Sequence, residues 1–183
     1  MLPSHPLLVP TYTNMLRALT AWLEKSRSQL SPSNADALMS ARLADDMFPL
    51  ASQICFTCLQ AQEPFFRLRH EPLPDRLNRL TEIGRNPDQT LVTIAAAQTY
   101  IAESLTYLDA LPPDALNGRG NCEIELALPN GMTFDLSAED YVRDWAIPQF
   151  YFHLNTAYAI LRMSGVDLGK ADYVAHMFSY LRS

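Results

Sequence analysis

The sequence predicts a mainly α-helical, antiparallel four-helix bundle in one domain. Apolar residues recur at three- and four-residue spacing through three or four long segments. Short connections rich in Pro, Ser and Asn separate these segments, and strand-like alternation occurs in one place only. Long helices with short links pack antiparallel, and 183 residues suffice to bury a substantial core within a single domain spanning 1–183.

The first helix is expected in "VPTYTNMLRALTAWLEKSRSQL", with Pro10 at its first position and Tyr12, Met15, Leu16, Leu19, Trp22 and Leu23 on one face. It should end before "SPSN", with a short helical turn in "ADALMSARL". The second helix starts at Pro49, in "PLASQICFTCLQAQEPFFRLRH". Asp45 and Asp46 are placed to cap its start, and Pro64 should break it near Glu63. The polar, proline-rich stretch between "HEPLPDRLNRL" and "GRNPD" reads as a loop with a short helix. "QTLVTIAAAQTYIAESLTYLDAL" reads as the third long helix, with Leu91, Ile94, Ala95, Gln98, Ile101, Leu105 and Leu108 on its stripe and Pro112–Pro113 as its stop.

"CEIELAL" and "MTFDL" alternate about "PNG", so a β-hairpin is expected, with Asn130-Gly131 supplying positive φ angles at the turn. Ser137 and Asp140 then form a capping-box variant that opens the last long helix, "EDYVRDWAIPQFYFHLNTAYAILRMS". Pro148 should kink that helix and Gly165 should end it. A short helix in "GKADYVAHMFSYL" completes the chain.

Hydrophobic residues make up 48% and charged residues 19%, which is globular composition. A net charge of −6 argues against a general nucleic-acid binder, since neutralising phosphates needs a Lys/Arg surplus. No apolar run reaches a membrane span, and "MLPSHPLLVP" lacks the features of a signal peptide, so a cytoplasmic protein is expected. Three cysteines are not a disulfide framework. Cys55 and Cys58 form a C-x-x-C in the middle of an apolar helical run, where packing is the expected role.

Three segments, "VP" at the first helix, "ARLADDMFPLASQI" and "FYFHLNTAYAILRMSGVDLGKADY", resemble the uncharacterised DUF1993 group of bacterial proteins. That group resembles the wider superfamily of DinB/YfiT-like four-helix bundles, which are described as metalloenzymes. The resemblance implies a divalent metal on three histidines in some branches, including mycothiol- and bacillithiol-dependent transferases. Two of those histidines form H-x-x-x-H in the last long helix, and the third stands at the start of the second. In this chain the paired positions fall on Gln149 and His153, and the second helix offers Asp45, Asp46 and Met47. Two of the three imidazoles are therefore missing. A metal is not favoured, because Gln binds first-row metals poorly, although a carboxylate could stand in for one histidine.

His153 lies on an apolar stripe with Ala146, Phe150, Ala157 and Ile160, so it should face the bundle interior and need a polar partner. Asp46 is the expected partner, and the pair His153 and Asp46 forms the candidate catalytic set. Gln149 and Tyr158 are the candidate ligand-binding residues. The aromatic side chains Trp145, Phe150, Tyr151, Phe152 and Tyr158 surround the same helix, so it should be either central or part of a homodimer interface. Two functions are in view. One is a dimeric binding or structural protein with a degenerate metal site and a pocket for a small molecule. The other is an enzyme with a recast Asp46/His153 site acting on a thiol or small electrophile.

Overall fold

A computed structural model describes residues 4–90, 92–118 and 122–182. Its first helix, α1, spans Ser4–Gln29 and so begins before Pro10, which lies in its interior. The sequence placed the start at Pro10. Leu8 explains the difference, since it is fully buried and carries the stripe of Tyr12, Met15, Leu16, Leu19 and Leu23 one turn further back. Burying a leucine is worth roughly 1.5–3 kcal/mol, which offsets a cost of about 3 kcal/mol for an interior proline.

A short helix, α2 (Pro32–Ala37), is capped by Ser31, whose hydroxyl accepts the Asn34 N–H. It runs into a single 3₁₀ turn, Leu38–Ser40. Helix α3 spans Leu50–Gln60 with Pro49 at its N-cap, and every one of its 11 residues is buried. Asp45 and Asp46 do not cap it; both are exposed in the preceding turn. The chain breaks at Ala61–Gln62, and α4 (Glu63–Leu68) follows with Pro64 in its first turn, where a missing N–H costs nothing.

Helix α5 (Asp75–Arg85) is more substantial than the loop with a short helix that the sequence suggested. Leu77, Leu80 and Gly84 form its buried face and pack on α3. Contact is closest at Gly84, where a Cβ would come within 2.8 Å of the Phe56 ring. Helix α6 (Ile94–Asp109) is capped by Thr93 and packs against α1 and α3. Leu91, expected on its stripe, falls outside the described residues.

The hairpin joins β1 (Glu123–Ala127) to β2 (Thr133–Ser137), with Ile124 opposite Leu136 and Leu126 opposite Phe134. Ile124 and Leu126 are buried, while β2 faces outward. Gly131 alone supplies positive φ at the turn, at 86°. Asn130 instead accepts the Met132 N–H on its side-chain oxygen at 3.1 Å.

Ser137 caps the last long helix as expected, its Oγ accepting the Asp140 N–H at 3.1 Å. The helix opens as α7 (Ala138–Asp140), widens into a π-helical turn over Tyr141–Ala146 and continues as α8 (Ile147–Met163). The distortion around Pro148 is thus this wide turn just before it. Gly165, at φ 89°, ends the helix, and the Val166 N–H reaches back to the Leu161 carbonyl at 3.1 Å. Finally α9 (Lys170–Tyr173) docks on α1, where Trp22 donates to the Asp172 carbonyl and Lys25 pairs with its carboxylate at 3.1 Å. A 3₁₀ stretch, Ala175–Tyr180, follows.

The bundle is therefore α1, α3, α6 and the last long helix, with α5 laid against α3 and the hairpin leading into α7. Among the described residues no helix is long and apolar enough to cross a membrane. Gly84→Val is expected to lower stability by about 1–3 kcal/mol, because the added methyls meet a Phe56 ring already packed against its neighbours. A urea midpoint unchanged from wild type would disprove this close approach of α5 to α3.

Candidate functional site

Position 153 lies where the exposed and buried sides of α8 meet. Ala146, Phe150, Ala157 and Ile160 of its stripe are fully buried, whereas His153 itself is half-buried. Its imidazole packs on the Phe56 ring at 4.9 Å and the Phe152 ring at 5.3 Å. Its Nδ1 lies 2.8 Å from Oε1 of Gln53, in the first turn of α3. The expected location of the partner, at the start of the second helix, is correct, but the expected residue is not. Asp46 stays exposed because the turn before α3 carries it outward, and the first turn of α3 brings Gln53 inward instead.

The tautomer follows from the hydrogen bonds. Gln53 donates its Nε2 to the Phe48 carbonyl at 3.0 Å, so its Oε1 faces the imidazole and can only accept. Nδ1 must then carry the proton. Nε2 is left as a lone-pair acceptor, without a protein partner and open to solvent. Burial holds the His153 pKa down at about 4, so the ring is neutral at pH 7.

His153 borders a cleft of about 590 Å³ between α3, α4, α5, the hairpin and the wide turn before α8. Apolar walls come from Phe48, Phe56, Leu59, Leu73, Leu126 and Trp145. The deeper polar group is Glu63, whose Oε1 takes two bonds from Arg67, at 2.6 and 2.5 Å, and whose Oε2 accepts from Gln60 at 3.2 Å. Arg67 and Arg85 both line the cleft, and Arg85 is exposed. Behind them the fully buried Tyr141 hydroxyl has no partner, and burial raises its pKa far above the usual phenol range.

The remaining candidates lie apart. Gln149 is half-buried one turn before His153 and does not border the cleft. Tyr158 packs on Trp22 at 5.2 Å and Tyr173 at 5.7 Å, which makes it part of the seam between α8, α1 and α9. Cys55 and Cys58 are fully buried, and desolvation pushes the Cys55 thiol up to about 12 and Cys58 higher still, so neither offers a thiolate. The sequence reading missed Gln53, Gln60, Glu63 and Arg67. Their signal was present: long polar side chains at 53, 60, 63 and 67 within a mostly apolar run.

The residues do not fit a three-histidine metal site. Among the described residues no group of three or more His, Cys, Asp or Glu side chains could hold an ion. The single imidazole, moreover, has one nitrogen committed to Gln53.

The family model described as a domain of unknown function, DUF1993, matches residues 5–174. The chain belongs to the DUF1993 family. The crystal structure of a DinB family member protein from Shewanella denitrificans is similar to this DUF1993 chain, with 30% identity and a TM-score of 0.74 over 93% of this chain and 90% of that one. The bundle fold that the resemblance implied is therefore correct. A comparison with curated proteins returned no match.

The low pKa of His153 has a signed consequence. The unfolded chain, with an ordinary value near 6.5, binds a proton that the folded chain refuses down to about pH 4. Stability should therefore fall as pH drops from about 6.5 towards 4, and level off below that for this group. In His153→Gln, which keeps a polar side chain and cannot titrate, the decline over this window should be smaller than in wild type. Chemical denaturation at pH 7 and pH 4.5 would check it, and parallel losses in the two proteins would count against it.

Proposed function

We propose that this protein is a small-molecule-binding helical bundle that works without a bound metal, with its ligand held in the cleft beside His153. One observation supports the reading most strongly. A neutral imidazole, held from behind by Gln53, meets a largely apolar cleft that also contains the Glu63–Arg67 pair. A volume of about 590 Å³ is typical of pockets for small organic molecules, which are mostly apolar with a few placed polar groups. The alternative, an enzyme using Asp46 and His153 as an acid/base pair, has less support. The two side chains are not partners, and a pKa near 4 lies far from the near-neutral value at which a general base works best.

The same proposal includes a homodimer in the cytoplasm. Phe152 is 58% exposed on α8 and lies outside the lining of the cleft, which makes it the candidate dimer contact. An odd count of three cysteines, with Cys55 and Cys58 buried as thiols, suits a reducing compartment. Light scattering at micromolar protein should report about twice the 20.6 kDa chain mass, and Phe152→Glu should shift that towards one chain. A wild-type monomer would refute the dimer.

A fragment screen by thermal shift tests the binding reading, since a ligand of the folded state raises Tm. Hits are expected on wild type and should be lost in Thr81→Phe, which fills the cleft from α5. Purified protein should contain well under one equivalent of zinc or nickel, and EDTA should leave the hits unchanged. A screen without hits would sink the binding reading. Stoichiometric metal that is needed for binding would sink its metal-free form.

A further inference from the structure

We propose that the cleft selects neutral ligands that donate a hydrogen bond, presenting to them the unprotonated Nε2 of His153, with Gln53 as the residue that fixes this tautomer. The inference rests on the binding reading above and names the ligand's chemistry: a ring-sized apolar body carrying an O–H or N–H group.

The polar side chains of the cleft have already spent several of their donors on the protein. His153 gives its Nδ1–H to Gln53, whose amide is in turn held by the Phe48 carbonyl. Gln60 donates to Glu63, and this orientation is forced, because the opposite one would set an amide oxygen against a carboxylate. Its Oε1 is left buried and without a partner. Asn78 donates to the Leu73 carbonyl at 3.5 Å, and Thr81 donates its hydroxyl to the Leu77 carbonyl at 3.1 Å. His153 and Thr81 have thus spent their single N–H or O–H on the protein and keep only an acceptor, whereas Gln60 and Asn78 each retain a second N–H and Trp145 brings an indole N–H.

A ligand without a donor would displace water from the His153 Nε2 lone pair and return nothing to it, which is the costly side of hydrogen-bond exchange. His153 is the acceptor best placed to meet it, since its Nε2 is open to solvent whereas Gln60 lies deeper. Charge narrows the class. Arg67 is neutralised by Glu63, which leaves Arg85 as the uncompensated charge on the cleft, and a cationic donor would be repelled by it. The ring-sized body follows from the walls, where Phe56, Leu59, Leu126 and Trp145 offer apolar surface.

Phenol and anisole make a matched pair of probes, alike in shape and differing in the donor. With ¹⁵N-labelled histidine, wild-type protein at pH 7 should show His153 with Nδ1 protonated and Nε2 bare. Phenol should shift the Nε2 resonance saturably, and anisole should bind at least about tenfold more weakly. Gln53→Leu should mix the tautomers and weaken phenol several-fold. Gln53→Glu, which still accepts from Nδ1–H, should keep the wild-type tautomer; if Gln53→Leu fails to fold, this variant and the wild-type probe pair still decide the matter. A proton on Nε2 in wild type, no phenol binding, or equal binding of the two probes would each overturn the proposal. Equal binding would leave the small-molecule reading standing, whereas a fragment screen without hits would remove that reading itself.

Discussion

Every residue of α3 is buried, and this constraint organises the rest of the molecule. A helix with no solvent face must be covered on all sides, and α5, α6 and α8 provide the cover. Its polar side chains, Ser52 apart, each make at least one hydrogen bond within the bundle. Thr57 bonds back to the Gln53 carbonyl at 2.8 Å, Gln53 bridges to His153, and Gln60 meets Glu63. Of these links, Gln53–His153 joins α3 to α8, and it also determines which nitrogen of the imidazole faces the cleft.

The cleft follows from the same packing. Gly84 lets α5 approach the Phe56 ring, the hairpin inserts Ile124 and Leu126, and the π-helical turn before Pro148 contributes Trp145 to the wall. None of these features is needed for a plain bundle. Together they leave a concave, mostly apolar surface beside a single neutral histidine. Within the bundle fold shared with the DinB family member, the side chains at the ligand positions determine what the site can hold.

Some elements were legible because their signals are local. Ser137 capping Asp140, Gly165 ending α8, Pro64 after the break and the alternation of the hairpin all act within a few residues. Others were misread where a longer-range contact outweighed a local rule. Pro10 is a sound start signal, yet burial of Leu8 extends α1 past it. The polar sequence of α5 hides a helix whose apolar face makes sense only against α3. The aromatic residues around the last long helix divide by environment: Phe150 enters the core, Tyr158 stacks with Trp22, and Phe152 remains exposed.

The sequence by itself determined the helical bundle and the hairpin, because periodicity, caps and turns are written in neighbouring residues, and its long segment resemblances pointed to the family. It also determined that two of the three expected imidazoles are missing. Only the tertiary structure decided that His153 pairs with Gln53 rather than Asp46. The two candidates are seven residues apart, and which one faces α8 depends on where the turn ends and α3 begins. The tautomer and the low pKa depend on contacts between residues as much as 100 positions apart in the chain, a distance over which sequence spacing carries no geometry.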